Sequence, residues 1–132
     1  MSASEDVAVV SKVIDGDTLE LAGGDRVRLI GIDTPEFGDG NPEPFAVEAK
    51  QFTQRMVGGS RVRLQFDRER FDKYGRILAT VQVDGKCLSE ELARAGLGHV
   101  MTRFRYSALL KKRLLAAEEE ARNQRLGVWS TK

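Results

Sequence analysis

Hydrophobic and polar residues alternate over most of the first two-thirds of the chain, which is the pattern of half-buried β-strands. Residues 61–66 and 76–83 alternate in this way, residues 7–14 are rich in β-strand formers, and residues 18–21 and 26–32 are further short strand segments next to Asp-Gly-Asp and Gly-Gly turns. Gly23-Gly24 predicts the turn before the segment at 26–32, and Asp84-Gly85 predicts a tight hairpin after the segment at 76–83. The pattern therefore predicts about five short strands.

Three other segments repeat hydrophobic residues every three or four positions, as amphipathic helices do. The repeating residues are Phe45, Ala49, Phe52 and Met56, then Leu92 and Ala95, then Leu110, Leu114, Ala117 and Ala121. Gly58-Gly59 ends the first helix, Ser89 is the predicted N-cap of the second, and the third covers about residues 107–124. Short strands with glycine turns and few helices predict an α+β, mainly β, barrel with helices packed outside.

The 132 residues fit one domain, 41% of them hydrophobic and 31% charged. We expect that domain at 7–132, after a disordered or tag-like segment at 1–6 without signal-peptide character. The single Cys87 excludes an internal disulfide and a multi-cysteine zinc site, and is expected in the core. His99 is expected in a structural position, and Trp129 is expected to pack the C-terminal segment onto the barrel.

Charge is unevenly distributed, although the net charge is only +1. Residues 1–50 hold four Lys/Arg against eleven Asp/Glu, whereas residues 51–132 hold seventeen against nine. The asymmetry suits an acidic cluster that holds a cation beside basic residues that receive an anion. An equally good explanation of the uneven charge is that acidic and basic residues lie on different solvent-exposed faces of the protein.

Two acidic motifs carry candidate metal ligands. Asp15 and Asp17 flank Gly16, and Asp33 and Glu36 flank a turn stiffened by Pro35. Either motif on its own is also common in turns, where its residues have a structural role and bind no metal. Together they supply the hard oxygen ligands that Ca²⁺ or Mg²⁺ requires.

Arg28 and Arg76 are the candidate anion-binding residues, each on or next to a predicted strand. An isolated arginine at such a position usually faces solvent. Beside a bound metal, however, the guanidinium fork matches the oxygens of a phosphate.

The sequence resembles the staphylococcal (micrococcal) nuclease family, the thermonucleases, from about Val7 to Trp129. The resemblance depends on several motifs in order rather than on one. They are Ile-Asp-Gly-Asp-Thr at 14–18, Arg-Leu at 28–29, Asp-Thr-Pro-Glu at 33–36, Phe-Asp at 66–67, Asp-Lys-Tyr-Gly-Arg at 72–76, Asp-Gly-Lys at 84–86 and Trp-Ser at 129–130.

The resemblance implies a five-stranded OB-fold barrel with three helices and calcium-dependent hydrolysis of DNA and RNA. Cleavage would be endonucleolytic and would leave 3′-phosphate ends. Asp17 and Asp33 would bind Ca²⁺ through their carboxylates and Thr34 through its backbone carbonyl, with Asp15 linked to the ion by water.

The resemblance also implies catalytic roles for Glu36, which would orient or deprotonate the attacking water, and for Arg28 and Arg76, which would grip the phosphate. Lys73 and Tyr74 match nucleotide-contacting positions.

Two departures from the family concern substrate contacts. Thr102 and Phe104 replace two tyrosines of the family. The Phe37–Pro44 segment is short, with Asp39 and Glu43 in place of lysines.

The spacing of Arg28 and Asp33 conflicts with a regular strand. They are five residues apart, which places them on opposite faces. They converge only if the alternation breaks, and Gly31 is the predicted place.

The resemblance favours a secreted or periplasmic monomer without membrane contact or an obligate protein partner, any signal peptide being absent from these residues.

The alternative function belongs to a different class of protein: a catalytically silent OB-fold module that binds nucleic acid or a protein. A third interpretation, a barrel for a small anion, has only the low net charge in its favour. A silent module is expected to lose site residues, whereas this chain keeps all five: Asp17, Arg28, Asp33, Glu36 and Arg76.

Overall fold

A computed structural model of the protein describes residues 5–38, 40–59 and 61–130. The first strand already begins at Glu5, two residues before the expected start of the domain. Residues 1–4 of the expected terminal segment, and Asp39 of the short acidic segment, lie outside the described residues.

Five strands close into a barrel, as predicted. In the order in which they neighbour one another they are β3 (Arg26–Leu29), β2 (Thr18–Leu21), β1 (Glu5–Asp15), β5 (Arg61–Gln65) and β6 (Ile77–Val83). These neighbours pair antiparallel, and a parallel pairing of β3 with β6 closes the barrel. The OB-fold class is confirmed.

The described residues also form three short strands in addition to the five of the barrel. The expected strand at 26–32 is divided, because β3 ends at Leu29 and a separate strand β4 covers Ile32–Asp33. Strand β4 pairs with β8 (His99–Val100), outside the barrel sheet. Strand β7 (Lys86–Cys87) forms the predicted hairpin with β6, and Asp84 and Gly85 of its turn both have positive φ.

The described residues form three α-helices: α1 (Ala46–Val57), α2 (Leu88–Arg94) and α3 (Ala108–Gln124). A 3-10 turn follows at Gly127–Trp129. Within these described ranges, no helix is long and apolar enough to cross a membrane.

The predicted N-cap of α2 is wrong. The cap position is Cys87, one residue before Leu88, and Ser89 lies buried within the helix. The Ser89 hydroxyl instead donates a hydrogen bond to the Ile30 carbonyl at 2.9 Å. The Ile30 carbonyl, which lies just after the end of β3, therefore accepts the hydroxyl hydrogen bond that the sequence spacing had predicted for the N-terminus of α2.

The core fills the barrel and the space under the helices. Leu19, Val27, Ala79 and Val81 are fully buried on the strands. The helices add Ala49, Leu88, Leu92, Leu114 and Ala117. Cys87 is buried as expected, and burial raises the pKa of its thiol. His99 is exposed, and its ring lies 5.0 Å from that of Trp129 in an edge-on contact.

Candidate active site

The turn between β1 and β2 places Asp17 in a buried position beside β4. One carboxylate oxygen, Oδ1, accepts a hydrogen bond from the Thr18 hydroxyl at 2.8 Å, and Oδ2 accepts one from the Thr34 amide at 2.9 Å. The Thr53 hydroxyl of α1 donates to the Gly16 carbonyl at 2.7 Å. A Cβ at Gly16 would lie only 2.8 Å from the Ala49 Cβ, so glycine allows this turn to pack directly on α1.

Arg28 is the centre of the site. Its Nη1 donates to the carbonyls of Leu29 and Ile32 at 2.8 and 2.7 Å. Its Nη2 lies 3.2 Å from Asp33 Oδ1 and 3.4 Å from Asp17 Oδ2. The side chain is only 13% exposed, and these contacts compensate for the burial of its charge.

The break between β3 and β4 allows this convergence. Gly31 has a φ of 87°, which turns the chain so that Arg28 and Asp33 face each other despite their odd spacing. The prediction of a break at Gly31 is confirmed.

Asp33 is the more accessible carboxylate, with 60% of its side chain exposed. Partial burial raises its pKa above 3.8, and the negative charge of Asp17 acts in the same direction. The positive charge of Arg28 opposes this shift. Two carboxylates that share one guanidinium leave the site short of positive charge, which favours the binding of a cation.

The donor set fits a hard divalent cation. Asp17 Oδ2 and Asp33 Oδ1 lie 3.4 and 3.2 Å from the same Arg28 nitrogen, and the Thr34 amide donates to Asp17 Oδ2, so carboxylate oxygens of the kind such an ion prefers come together here. Within the described ranges, no three His, Cys, Asp or Glu side chains are placed to hold an ion together. The arrangement is thus that of a site with two carboxylates, to be completed by other oxygens.

The other two acidic candidates make separate contacts. Asp15 Oδ1 accepts a hydrogen bond from the Phe37 amide at 3.2 Å. Glu36 is exposed, and its amide donates to Glu43 Oε1 at 2.7 Å. Neither of these hydrogen bonds joins Asp15 or Glu36 to Asp17 or Asp33.

An open cleft of about 350 Å³ extends from Arg28 to the loop before β6. Arg76, Lys73, Tyr74 and Phe104 line it together with Arg28, so the structure brings these predicted residues into one place. Thr102 is exposed and does not line this cleft; its carbonyl accepts a hydrogen bond from Lys111 Nζ at 3.3 Å.

Asp72 holds Arg76 in the cleft. Its Oδ2 accepts from Arg76 Nε at 2.7 Å, and its Oδ1 accepts from the amides of Tyr74 and Arg76 at 2.9 Å. Desolvation alone would raise the pKa of Asp72, but these hydrogen bonds and the guanidinium charge lower it. The two Nη groups are the donors that Arg76 has left for an anion.

Sequence reasoning gave no role to the residues that support the site from α3 and β8. Glu118 of α3 is buried, and its Oε2 accepts from the Val100 amide at 2.9 Å. The Tyr106 hydroxyl donates to the Met101 carbonyl at 2.6 Å, and burial, with the Glu118 charge, raises the pKa of Tyr106 to about 12. Met101 Sδ lies 4.0 Å from Arg28 Nη2. None of these residues belongs to a motif, and the helix period predicts Glu118 only as a neighbour of the apolar stripe.

The fold and site define an OB-fold domain with two anchored arginines in one cleft and a carboxylate pair in contact with one of them, Arg28. Residues 26–131 match the family described as Staphylococcal nuclease homologue, and the chain belongs to this family.

Several relatives match over nearly the whole chain. The thermonuclease of Staphylococcus intermedius is 37% identical over 129 residues, which is 92% of this chain and 74% of that protein. The thermonuclease of Staphylococcus hyicus is 34% identical, over 98% of this chain and 79% of that protein. Endonuclease YncB of Bacillus subtilis is also 34% identical, over 92% of this chain and 60% of that protein. These names support a hydrolase that acts on nucleic acids.

Proposed function

We propose that the protein is a calcium-dependent nuclease that hydrolyses phosphodiester bonds within DNA and RNA strands and leaves 3′-phosphate ends. The observation that carries the proposal is one cleft lined by Arg28 and Arg76, with the Asp17–Asp33 pair on Arg28. Membership of the family and the names of its relatives support it.

The two arginines would stabilise charge on the phosphate. Arg28 is held by two carbonyls and two carboxylates, and Arg76 by Asp72, so both positive charges are in place before substrate binds. Groups that need no reorganisation are the effective ones when negative charge develops on phosphate oxygens. Arg76 would act nearest the leaving oxygen.

Asp17, Asp33 and the Thr34 carbonyl would hold Ca²⁺, with Asp15 linked to it through water. The bound ion would supply positive charge to the phosphate and help to orient it. Mg²⁺ requires a tighter octahedral geometry than the more flexible coordination of Ca²⁺, so we propose Ca²⁺ as the ion that supports turnover.

Glu36 would accept a proton from the attacking water. The water oxygen forms a bond to phosphorus while the bond from phosphorus to the 5′ oxygen breaks. The departing 5′ oxygen takes a proton from solvent and becomes a hydroxyl, and the phosphate remains on the 3′ side. The exposed position of Glu36 leaves its carboxylate open to such a water.

Lys73, Tyr74 and Phe104 would contact the nucleotide, because they line the cleft with the arginines. Thr102 would contribute less, since it lies outside that lining. We also propose that the protein acts as a monomer outside the cytoplasm, as the family resemblance implies.

Parallel digestion of plasmid DNA and RNA in Ca²⁺, Mg²⁺ and EDTA tests the proposal. We expect both substrates to be cut in Ca²⁺, with little cleavage in EDTA, and products that a 3′-phosphatase can dephosphorylate. Full activity in EDTA would contradict the metal requirement. Tight binding of nucleic acid without cleavage in either metal would identify the protein as a silent OB-fold module.

A further inference from the structure

Three more open cavities follow one another from the cleft across the surface. The loop cavity, about 300 Å³, is lined by Arg68, Arg105, Tyr106 and Lys111. Phe104 lines the cleft and the next residue, Arg105, lines the loop cavity, so one loop contributes to both.

The middle cavity and the strand cavity continue this path. The middle cavity, about 350 Å³, shares Asp67 and Ser107 with the loop cavity. The strand cavity, about 690 Å³, shares Gln65, Gln82 and Arg113 with the middle cavity. The loop, middle and strand cavities are therefore joined by the residues that they share, and the loop cavity begins one residue along the chain from the cleft.

Positive charge recurs along the whole series. The cationic lining residues are Arg28, Arg76 and Lys73 in the cleft, Arg68, Arg105 and Lys111 in the loop cavity, and Arg61, Arg63 and Arg113 in the strand cavity. All but Arg28 come from residues 51–132, where basic residues exceed acidic ones by seventeen to nine. Eight of those seventeen basic residues therefore line the cleft or the cavities that follow it.

Among the side chains that the structure describes, few acidic groups lie beside the loop cavity and the strand cavity, and two of them already have partners. Asp67 accepts hydrogen bonds from the amides of Ser107 and Arg68 at 2.6 and 2.8 Å. Glu90 is ion-paired with Arg113 at 2.7 Å. Asp84, in the strand cavity, is the third.

The middle cavity combines amide groups with apolar walls. Gln82 Nε2 lies 3.4 Å from Gln65 Oε1, and the Thr80 hydroxyl lies 3.5 Å from the same oxygen. Phe66 and Leu109 supply apolar surface. A hydrogen-bonding edge beside an apolar wall suits a nucleobase, which has a polar edge and an apolar face.

We propose that these three cavities, the basic track, bind the stretch of single-stranded DNA or RNA that extends beyond the cleft. The proposal assumes the nuclease function proposed above. A middle cavity with amide and apolar walls between two cavities lined by cations offers sites for both the bases and the phosphates of a strand. Single-strand binding proteins use the same combination of a positive groove and surfaces for bases.

The test is a double variant, Arg61→Gln/Arg68→Gln, which removes one charge from the strand cavity and one from the loop cavity. Both side chains lie outside the core and neither lines the cleft, so folding and chemistry should be preserved. The matched control is Lys12→Gln/Arg55→Gln, which removes the same charge from exposed described residues that line none of the four cavities.

Fluorescence anisotropy in EDTA would measure binding of a labelled oligothymidylate of about 16 nucleotides, the upper site size of one OB fold, and of a labelled dinucleotide. Each lost phosphate contact reduces the salt slope by ~0.7, which corresponds to about fivefold in affinity at ~0.1 M salt. We therefore expect the track variant to bind the long strand at least ~10-fold more weakly, with the dinucleotide unaffected. With Ca²⁺, KM for long strands should rise while kcat stays unchanged.

Two results would overturn the basic track: unchanged affinity for the long strand, or an equal loss in the control variant, which would show a general charge effect. Failure of the nuclease function would be distinct, because the wild type would then cut neither the dinucleotide nor the long strand. The binding comparison in EDTA does not depend on cleavage.

Discussion

Arg28 shows how one side chain organises this site. A buried guanidinium is costly unless its donors are satisfied, and here two backbone carbonyls and two carboxylates accept from it or pair with it. The same contacts bring Asp17 and Asp33 together. A single residue thereby positions the carboxylates proposed to bind the metal and is itself one of the groups proposed to bind the phosphate.

Arg76→Lys tests the chemistry at the scale of one residue. Lysine keeps the charge but loses both the fork and the Nε bond to Asp72, so kcat should fall by at least ~10²-fold, the scale of losing one preorganised donor. The melting temperature should change little, because partly exposed ion pairs contribute ~0–1 kcal/mol. Arg70→Lys is the control in the same loop, where Arg70 lies over the Phe66 ring. Near-native kcat in Arg76→Lys would remove Arg76 from the mechanism.

The ion pair between Asp72 and Arg76 should make the stability of the protein depend on pH. The pKa of Asp72 is lowered in the folded protein, so its contribution to stability is present at neutral pH and is lost as the pH falls below 3.8 through the folded-state value. Asp72→Asn should therefore lower the melting temperature at pH 7, and the difference from wild type should disappear in strong acid. Thermal unfolding of both proteins across this range measures the effect, and a difference independent of pH would contradict it.

At the scale of elements, the division between β3 and β4 builds the site. Strand β3 remains in the barrel through its parallel pairing with β6, while β4 leaves it to pair with β8. The Met101 amide donates to the Gly31 carbonyl at 2.8 Å, and Glu118 of α3 holds β8 through Val100. The carboxylate of Asp33 is thus positioned by α3 as well as by its own strand.

Gly31→Ala should disrupt this division. A positive φ costs a non-glycine residue about 1–3 kcal/mol, and the new Cβ would lie 2.5 Å from Leu114 Cδ1. Stability should fall by more than that φ cost, and kcat should fall with it as Asp33 shifts relative to Arg28. Gly85→Ala is the control, because Gly85 has a φ of 75° and a methyl group added there would meet nothing within 4 Å. It should lose stability by the φ cost alone and keep kcat; an equal loss of kcat in both variants would contradict a local role for Gly31.

At the scale of the whole molecule, acidic residues concentrate in residues 1–50, and cations from the rest of the chain line one surface. The barrel brings the two regions together, because β3 pairs with β6 across its closure. A net charge of only +1 therefore coexists with a locally acidic pair, Asp17 and Asp33, and with surface cavities lined by cations.

Calcium should stabilise the whole fold if Asp17 and Asp33 bind it. An ion at a hundredfold excess over its Kd adds about 2.7 kcal/mol, which corresponds to a rise of roughly 10 °C in a domain of this size. Asp33→Asn should abolish most of this rise, whereas Asp25→Asn, at an exposed carboxylate outside the site, should preserve it. Thermal unfolding with and without Ca²⁺ provides the measurement, and an equal rise in both variants would place the ion elsewhere.

The sequence by itself determined the elements whose character is local. Alternation predicted the five barrel strands, the helical stripes predicted α1 and α3, and Asp84-Gly85 predicted its hairpin, because these features depend on neighbours along the chain. The residue types of the site were predictable for the same reason: carboxylates and arginines are recognisable in short motifs whatever surrounds them.

Only the tertiary structure decided which groups meet. The Ser89 hydroxyl donates to the Ile30 carbonyl instead of capping a helix. Strand β4 pairs with β8, more than sixty residues away in sequence. Thr102 lies outside the cleft that Phe104 lines. Each outcome depends on groups distant in sequence that compete for the same hydrogen bond or the same space. The spacing of residues along the chain does not predict the outcome, because a buried polar group forms its hydrogen bond with the partner that the folded structure places next to it.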